Sequence, residues 1–132
     1  FEYLMIVGDD VKFPNDKGWL GLFKRNLKKN KNTGWSAGWS NNDQIATQFL
    51  IHKNHVETFG FVFPPQLKNW YCDNWLNEVY PASFRYWRKD YPLLNCGGEP
   101  RYLPNQDKKL CDILVKRHRP ELLKLLREKK II

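Results

Sequence analysis

Apolar and polar positions alternate along this chain in two different periods, and the change of period marks the elements. After Glu2, residues 2 to 8 run without a polar break through "YLMIV", with Ile6 and Val7 β-branched. An unbroken apolar run of that length predicts a central strand buried on both faces. "KFPNDKG" is a turn-rich loop, and a helix is expected from about Trp19 to Lys29. Trp19, Leu22, Phe23 and Leu27 fall on one face of it, with Lys and Arg opposite. Asp16 is placed to help cap this helix, and Asn30 to Gly34 stop it.

Beyond the helix, "TGWSAGWSN" reads as a short strand or extended loop, and "IATQFLIHK" alternates as a second strand. A short helix follows, with Asn54 as N-cap, Glu57 completing a capping box, and Pro64 and Pro65 ending it. In "LKNWYCDNWLNEVY" the spacing of Trp75, Leu76, Val79 and Tyr80 is helical, with Asp73 at the N-cap. "PLLNCGGEPRYLP" is read as a Gly/Pro-rich loop. Leu110, Ile113 and Leu114 share a helical face, and Pro120 suits the first position of a further helix through "ELLKLLREKK". The order implies an α/β chain: a mixed sheet with flanking helices and a basic helical tail. It is read as a single domain over residues 1–132, with residues 106–132 as the C-terminal helices.

Composition narrows the classes. No stretch approaches the roughly 18 apolar residues of a membrane span. Cys72, Cys96 and Cys111 are odd in number and widely spaced, with no C-x-x-C pair, which argues against a structural zinc site and a disulfide framework. His52 and His55 lack a third ligand cluster and are expected as one surface and one capping histidine. The 22 basic and 14 acidic residues give a formal charge of +8, concentrated in "KRNLKKNKN" and after Lys108. Such charge suits phosphate-bearing partners, although runs of this kind commonly form solvated helix faces.

The candidate chemistry lies where the first strand ends, in Gly8-Asp9-Asp10. Ligands of open α/β sheets gather at the carboxyl ends of strands. Two adjacent carboxylates repel, so burying both needs a cation or several hydrogen bonds. Oxygen-only ligands favour Mg²⁺ or Mn²⁺, which commonly take one or two carboxylates and complete their shell with substrate phosphates. On local sequence alone, a metal site and a plain turn both remain open.

The series "GDDVKFPNDKGW", "ATQFLIHKNHVETFGFVFPPQLKNWYCDNWLNEVY" and "NCGGEPRY" resembles a family of GT-A-fold glycosyltransferases of protists, algae and large viruses, over most of residues 3 to 102. The resemblance implies the metal and acceptor half of such a fold (residues 1–105), whose donor base and ribose would be held by an upstream βαβ half. The chain is therefore expected to be part of a longer one. It further implies that Asp9 and Asp10 stand for the D-x-D motif. Asp10 would bind Mn²⁺ or Mg²⁺ on the donor's diphosphate, and Asp9 would support the metal or the donor ribose. Asp73 matches the first acid of a D-D-W block and would be the general base, a role compatible with an N-cap worth about 1 kcal/mol. The family's second acid is replaced here by Asn74, which is assigned with Trp70 to acceptor binding; Trp75 is expected in the core. Arg101 and His118 are candidates to approach the donor diphosphate, as are Lys116 and Arg117. The Gly97-Gly98 pair is read as a plain turn or a loop closing over the donor.

The implied function is metal-dependent transfer of a sugar from a nucleotide-diphospho-sugar to a hydroxyl of a glycan, glycoprotein or other acceptor, with no nucleic-acid partner and no transmembrane segment. Two alternatives stand beside it. One is a non-enzymatic basic module binding nucleic acid or polyanions. The other is a fragment of a GDD-type polymerase, which wants a second apolar strand directly after the Asp pair, where "VKFPNDKGW" leads into a helix.

Overall fold

In the computed structural model, which describes residues 1–68, 70–97 and 107–132, the apolar run after Glu2 forms a strand, β1 (Tyr3–Ile6). There follow β2 (Val11–Lys12), α1 (Trp19–Lys28), β3 (Trp35–Trp39), β4 (Phe49–His52), α2 (Asn54–Phe59) and α3 (Cys72–Val79). A 3-10 turn at Ala82–Phe84 leads to β5 (Arg85–Pro92), β6 (Leu94–Asn95) and the long helix α4 (Lys108–Glu128). One sheet has the order β1-β4-β3-β5, and β2 pairs with β6 in a separate ladder. β4 is antiparallel to both its neighbours, whereas β3 and β5 are parallel, the chain between them returning through β4 and then passing through α2 and α3. The expected mixed α/β architecture is borne out.

Side-chain alternation decides what covers each face of the sheet. Tyr3 and Met5 of β1 and Leu50 of β4 pack with Phe23 and Leu27 of α1. The intervening Leu4, Ile6, Phe49 and Ile51 pack instead with Trp75, Leu76 and Val79 of α3 and Leu114 and Leu122 of α4. Helices therefore lie on both faces, α1 on one and α3 with α4 on the other. This explains why β1 reads as an unbroken apolar run. It corrects the expectation of a central strand, because among the described residues β1 is the edge strand and its four residues are half-buried. Periodicity reports covered faces and says nothing of covered edges.

Helix ends differ most from expectation. Asp16 binds the chain just ahead of α1, its Oδ1 accepting from the Gly18 amide at 2.8 Å. Beyond α1, Lys31, Asn32 and Gly34 all take positive φ. A Cβ on Gly34 would lie 1.9 Å from the carbonyl oxygen of Phe84, so that position requires glycine. The capping box at Asn54 and Glu57 does not form. Lys53 holds the cap position without a side-chain bond, and His52 Nδ1 accepts from the Asn54 amide at 3.1 Å. Gly60, at φ 79°, ends α2 ahead of Pro64 and Pro65.

Asp73 is likewise no N-cap. Tyr71, at φ 64°, holds that position, and Asp73 lies inside the first turn of α3. α4 runs unbroken through Pro120, where a second helix was expected. An internal proline costs about 3 kcal/mol, and Leu114 and Val115 before it and Leu122 and Leu126 after it are all buried. Packing on both sides thus holds the helix together. Ile113, expected on the buried face, is 52% exposed. Part of the expected loop at Pro92 to Pro104 is strand β6, and residues 98 to 106 lie outside the described residues. Among the described residues no helix is long and apolar enough to cross a membrane.

Both His52 and His55 are buried, so neither is the surface histidine expected. The Val62 carbonyl lies 2.9 Å from His55 Nε2 and can only accept, so Nε2 carries the proton. Nδ1 then accepts from the Tyr80 hydroxyl at 2.9 Å. Burial pushes the His55 pKa down to about 4. A depressed histidine pKa stabilises the fold above the unfolded value of about 6.5, and that contribution is lost as pH falls through the folded one. The urea midpoint is therefore expected to drop between about pH 6.5 and 4. His55→Gln should lower stability at pH 7 by about 1–3 kcal/mol, through the unpaired Tyr80 hydroxyl, and flatten that drop. An equally steep drop in the variant would refute the assignment.

Candidate functional site

The turn after β1 opens into a cleft of about 680 Å³. It is lined by Ile6, Val7, Gly8 and Asp10, by Thr47 and Gln48 leading into β4, and by Phe63, Pro64, Pro65 and Leu67 from the segment between α2 and α3, with Cys72 and Asp73 from α3 and Asn95 from β6. The Gly8 amide donates to Gln48 Oε1 at 3.1 Å, which ties the end of β1 to the residues ahead of β4.

Asp10 is held from the side by β6. Val11 pairs with Asn95 across the two-stranded ladder, and the Cys96 amide donates to the Asp10 carbonyl at 2.9 Å. With its amide nitrogen turned inward, Asn95 donates to Asp10 Oδ1 at 3.0 Å and to Oδ2 at 3.1 Å. A Cβ on Gly97 would lie 1.8 Å from Asp10 Oδ2. That carboxylate occupies the space a side chain at position 97 would fill.

Asp73 sits in a different environment. Its backbone carbonyl accepts from Asn77 Nδ2 at 2.7 Å, and the residue is half-buried at the edge of the cleft. Burial raises its pKa to about 7. Charge in a low-dielectric wall is disfavoured, so the group takes and releases a proton near neutrality, which suits a general base.

The structure thus brings Asp10 and Asp73 into one cleft. Asp9 is exposed at the tip of the turn, and Trp70 and Asn74 are half-buried; none of the three lines the cleft. His118 stands elsewhere, its Nδ1 accepting from Trp75 Nε1 at 3.1 Å. Its ring packs among those of Phe59, Phe61 and Trp75. Trp75 itself is fully buried in the core. Lys116 and Arg117 are exposed on α4, and Arg101 and Gly98 lie outside the described residues. Asn95 and Gln48 carry no assignment from sequence. The only signal for Asn95 is a polar residue between an apolar pair and two glycines, and its role depends on the β2–β6 pairing.

Among the described residues no three His, Cys, Asp or Glu side chains converge as a metal cage. Besides the Asp10 and Asp73 carboxyls, the polar side chains that line the cleft are those of Thr47, Gln48 and Asn95. The strand after the Asp pair joins β6 and not β1, so the hairpin of a GDD polymerase is not formed.

Compared with known proteins, the chain matches no family model, no curated protein and no solved structure.

Proposed function

We propose that the cleft is the metal and acceptor side of a glycosyltransferase site, moving a sugar from a nucleotide-diphospho-sugar to an acceptor hydroxyl. One observation carries the reading: Asp10 and Asp73, assigned separately as metal ligand and base on the family resemblance, line the same cleft. A bound Mn²⁺ or Mg²⁺ supplies charge neutralisation of the diphosphate leaving group. Asp10 anchors that end of the cleft. Asp73 takes the proton of the acceptor hydroxyl as its oxygen attacks the anomeric carbon. The bond from that carbon to the phosphate oxygen breaks, and the diphosphate leaves with the electron pair. Phe63, Pro64 and Pro65 contribute apolar lining to the same cleft.

A second reading is favoured by one separate contact. Lys31 Nζ donates to the Lys130 carbonyl at 3.5 Å. This joins the basic end of α1 (Arg25, Lys28) to that of α4 (Arg127). Tyr3, at the opposite end of β1 from the cleft, bonds Asn32 at 3.0 Å, which places this basic pole away from the Asp pair. A polyanion held there would be released by salt and would bind equally well to Asp9→Ala and Asp10→Ala.

Two outcomes test the transferase reading. In the protein supplied with Mn²⁺, nucleotide sugars and a hydroxyl acceptor, Asp10→Asn should lower transfer by at least about 100-fold; normal turnover in that variant would contradict the reading. The second concerns Asp73. A carboxyl whose folded pKa is raised stabilises the fold fully below about pH 4, and the contribution is lost as pH rises through about 7. Asp73→Asn is therefore expected to raise the unfolding free energy at pH 8, read from urea denaturation, by about 1 kcal/mol or more while lowering kcat by about 10²–10⁴. A variant that is less stable at pH 8, or fully active, would remove Asp73 from the base role.

A further inference from the structure

A smaller cavity of about 50 Å³ opens at the other end of β1 from the Asp pair. Asn32 lines it, and its Oδ1 accepts from the Tyr3 hydroxyl at 3.0 Å. Residues of α2 and of the last turns of α4 complete the lining. The volume is above the about 10–15 Å³ that one water needs and far below the about 300 Å³ of a pocket for a whole small molecule. It suits a single small polyatomic group.

The polar side chains around this cavity can all donate. Thr33, Asn54 and Thr58 line it, and among the described residues none of these three side chains is hydrogen-bonded within the protein. Thr33 is only 7% exposed, so its hydroxyl has little but the cavity to turn to. A buried hydroxyl without a partner is costly, which makes this position selective for a ligand that accepts. Asn32, with its oxygen given to Tyr3, keeps its amide hydrogens. The buried His55 and Tyr80 also line the cavity but are bonded to each other, and burial keeps His55 neutral.

The charge points the same way. Among the described lining residues there is no carboxylate, and the charged one is Lys129. Lys31 and Lys130 adjoin Asn32 and Lys129 in the chain, Lys53 adjoins Asn54, and all are exposed. Glu57 on α2 and Glu128 on α4 are exposed and do not line the cavity. Leu122, Leu125, Leu126 and Ile131 supply apolar lining. Low-dielectric surroundings of this kind focus the field of neighbouring charges instead of screening it.

We propose that this cavity binds one tetrahedral oxoanion, a phosphate group, with Thr33, Asn54 and Thr58 as donors and Lys129 as the counter-charge. The inference stands apart from the transferase reading, whose cleft lies at the far end of β1. It also sharpens the basic pole: the partner is a single phosphate in a shaped pocket, and not charge spread along a polymer. Free phosphate, a soluble phosphomonoester and a lipid headgroup share this chemistry.

The test is an amide NMR titration of the labelled chain with inorganic phosphate at fixed ionic strength. It is run on wild type, Thr33→Val, Asn54→Ala and Lys129→Met, each checked for an unchanged circular dichroism spectrum. Wild type should show saturable shifts at Thr33, Asn54, Thr58 and Lys129, with Gly8 and Asp10 unmoved. Thr33→Val keeps the shape and removes the hydroxyl; it and Lys129→Met should each bind at least about tenfold more weakly. A second arm sediments the chain with phosphatidylcholine vesicles carrying phosphatidic acid. Sedimentation lost in Thr33→Val would support the site with a lipid headgroup as its source. No sedimentation, with saturable phosphate binding, would support it with a soluble source. Shifts that never saturate, or that spread evenly over the exposed lysines, would overturn the proposal. So would an affinity unchanged in both Thr33→Val and Asn54→Ala.

Discussion

Tyr3 opposite His52, Leu4 opposite Ile51, Met5 opposite Leu50 and Ile6 opposite Phe49: this antiparallel register of β1 on β4 sets the position of everything the cleft contains. Because side chains alternate, a slip of one residue would turn Leu4 and Ile6 towards α1 and Tyr3 and Met5 towards α3 and α4. Neither layer accepts the exchange. The α3–α4 side is closed by the fully buried Trp75 and Leu76, and the α1 side by Phe23 and Leu27. The register also carries the Gly8 amide to Gln48, and so brings the Asp pair beside the residues that lead into β4.

From that placement the two cleft carboxyls meet different surroundings. Asp10 meets donors from β6, with backbone glycine at position 97 making room for it. Asp73 lies in the first turn of a helix, where the dipole favours an anion, yet burial outweighs this and raises its pKa to about 7. Under the proposed function Asp10 would hold the cation and Asp73 would move the proton, a division of work between two acids. The basic pole around Lys31 and Lys130 takes no part in that division, since it sits at the other end of β1.

Much of this fold is legible in the chain because helix and strand periods are local. The face of Trp19, Phe23 and Leu27 and the alternation through Phe49 to His52 appear in the structure as read. Features set by competition between distant groups were not legible. Asn54 is a good N-cap by type, but His52 Nδ1 already accepts the amide there. Pro120 looks like a helix start, but buried leucines on both sides keep α4 continuous. The site divides in the same way. Asp9, Asp10 and Asp73 stand out as acids after a strand or beside aromatics. Asn95 and Gln48 gain meaning only once β6 meets β2 and β1 meets β4. His118, chosen as a cation near a phosphate, is instead an acceptor for the Trp75 indole.

Asp10 and Asp73 line one cleft, proposed above to hold a divalent cation, and paramagnetic broadening by Mn²⁺ reads this directly. In an amide NMR spectrum of the labelled chain, sub-stoichiometric Mn²⁺ should broaden Gly8, Asp10, Gln48, Asp73 and Asn95 together, leaving Lys124 to Lys130 of the distant helix end sharp. Broadening that reaches Asp10 but spares Asp73, or that is spread evenly over the surface acids, would contradict the account.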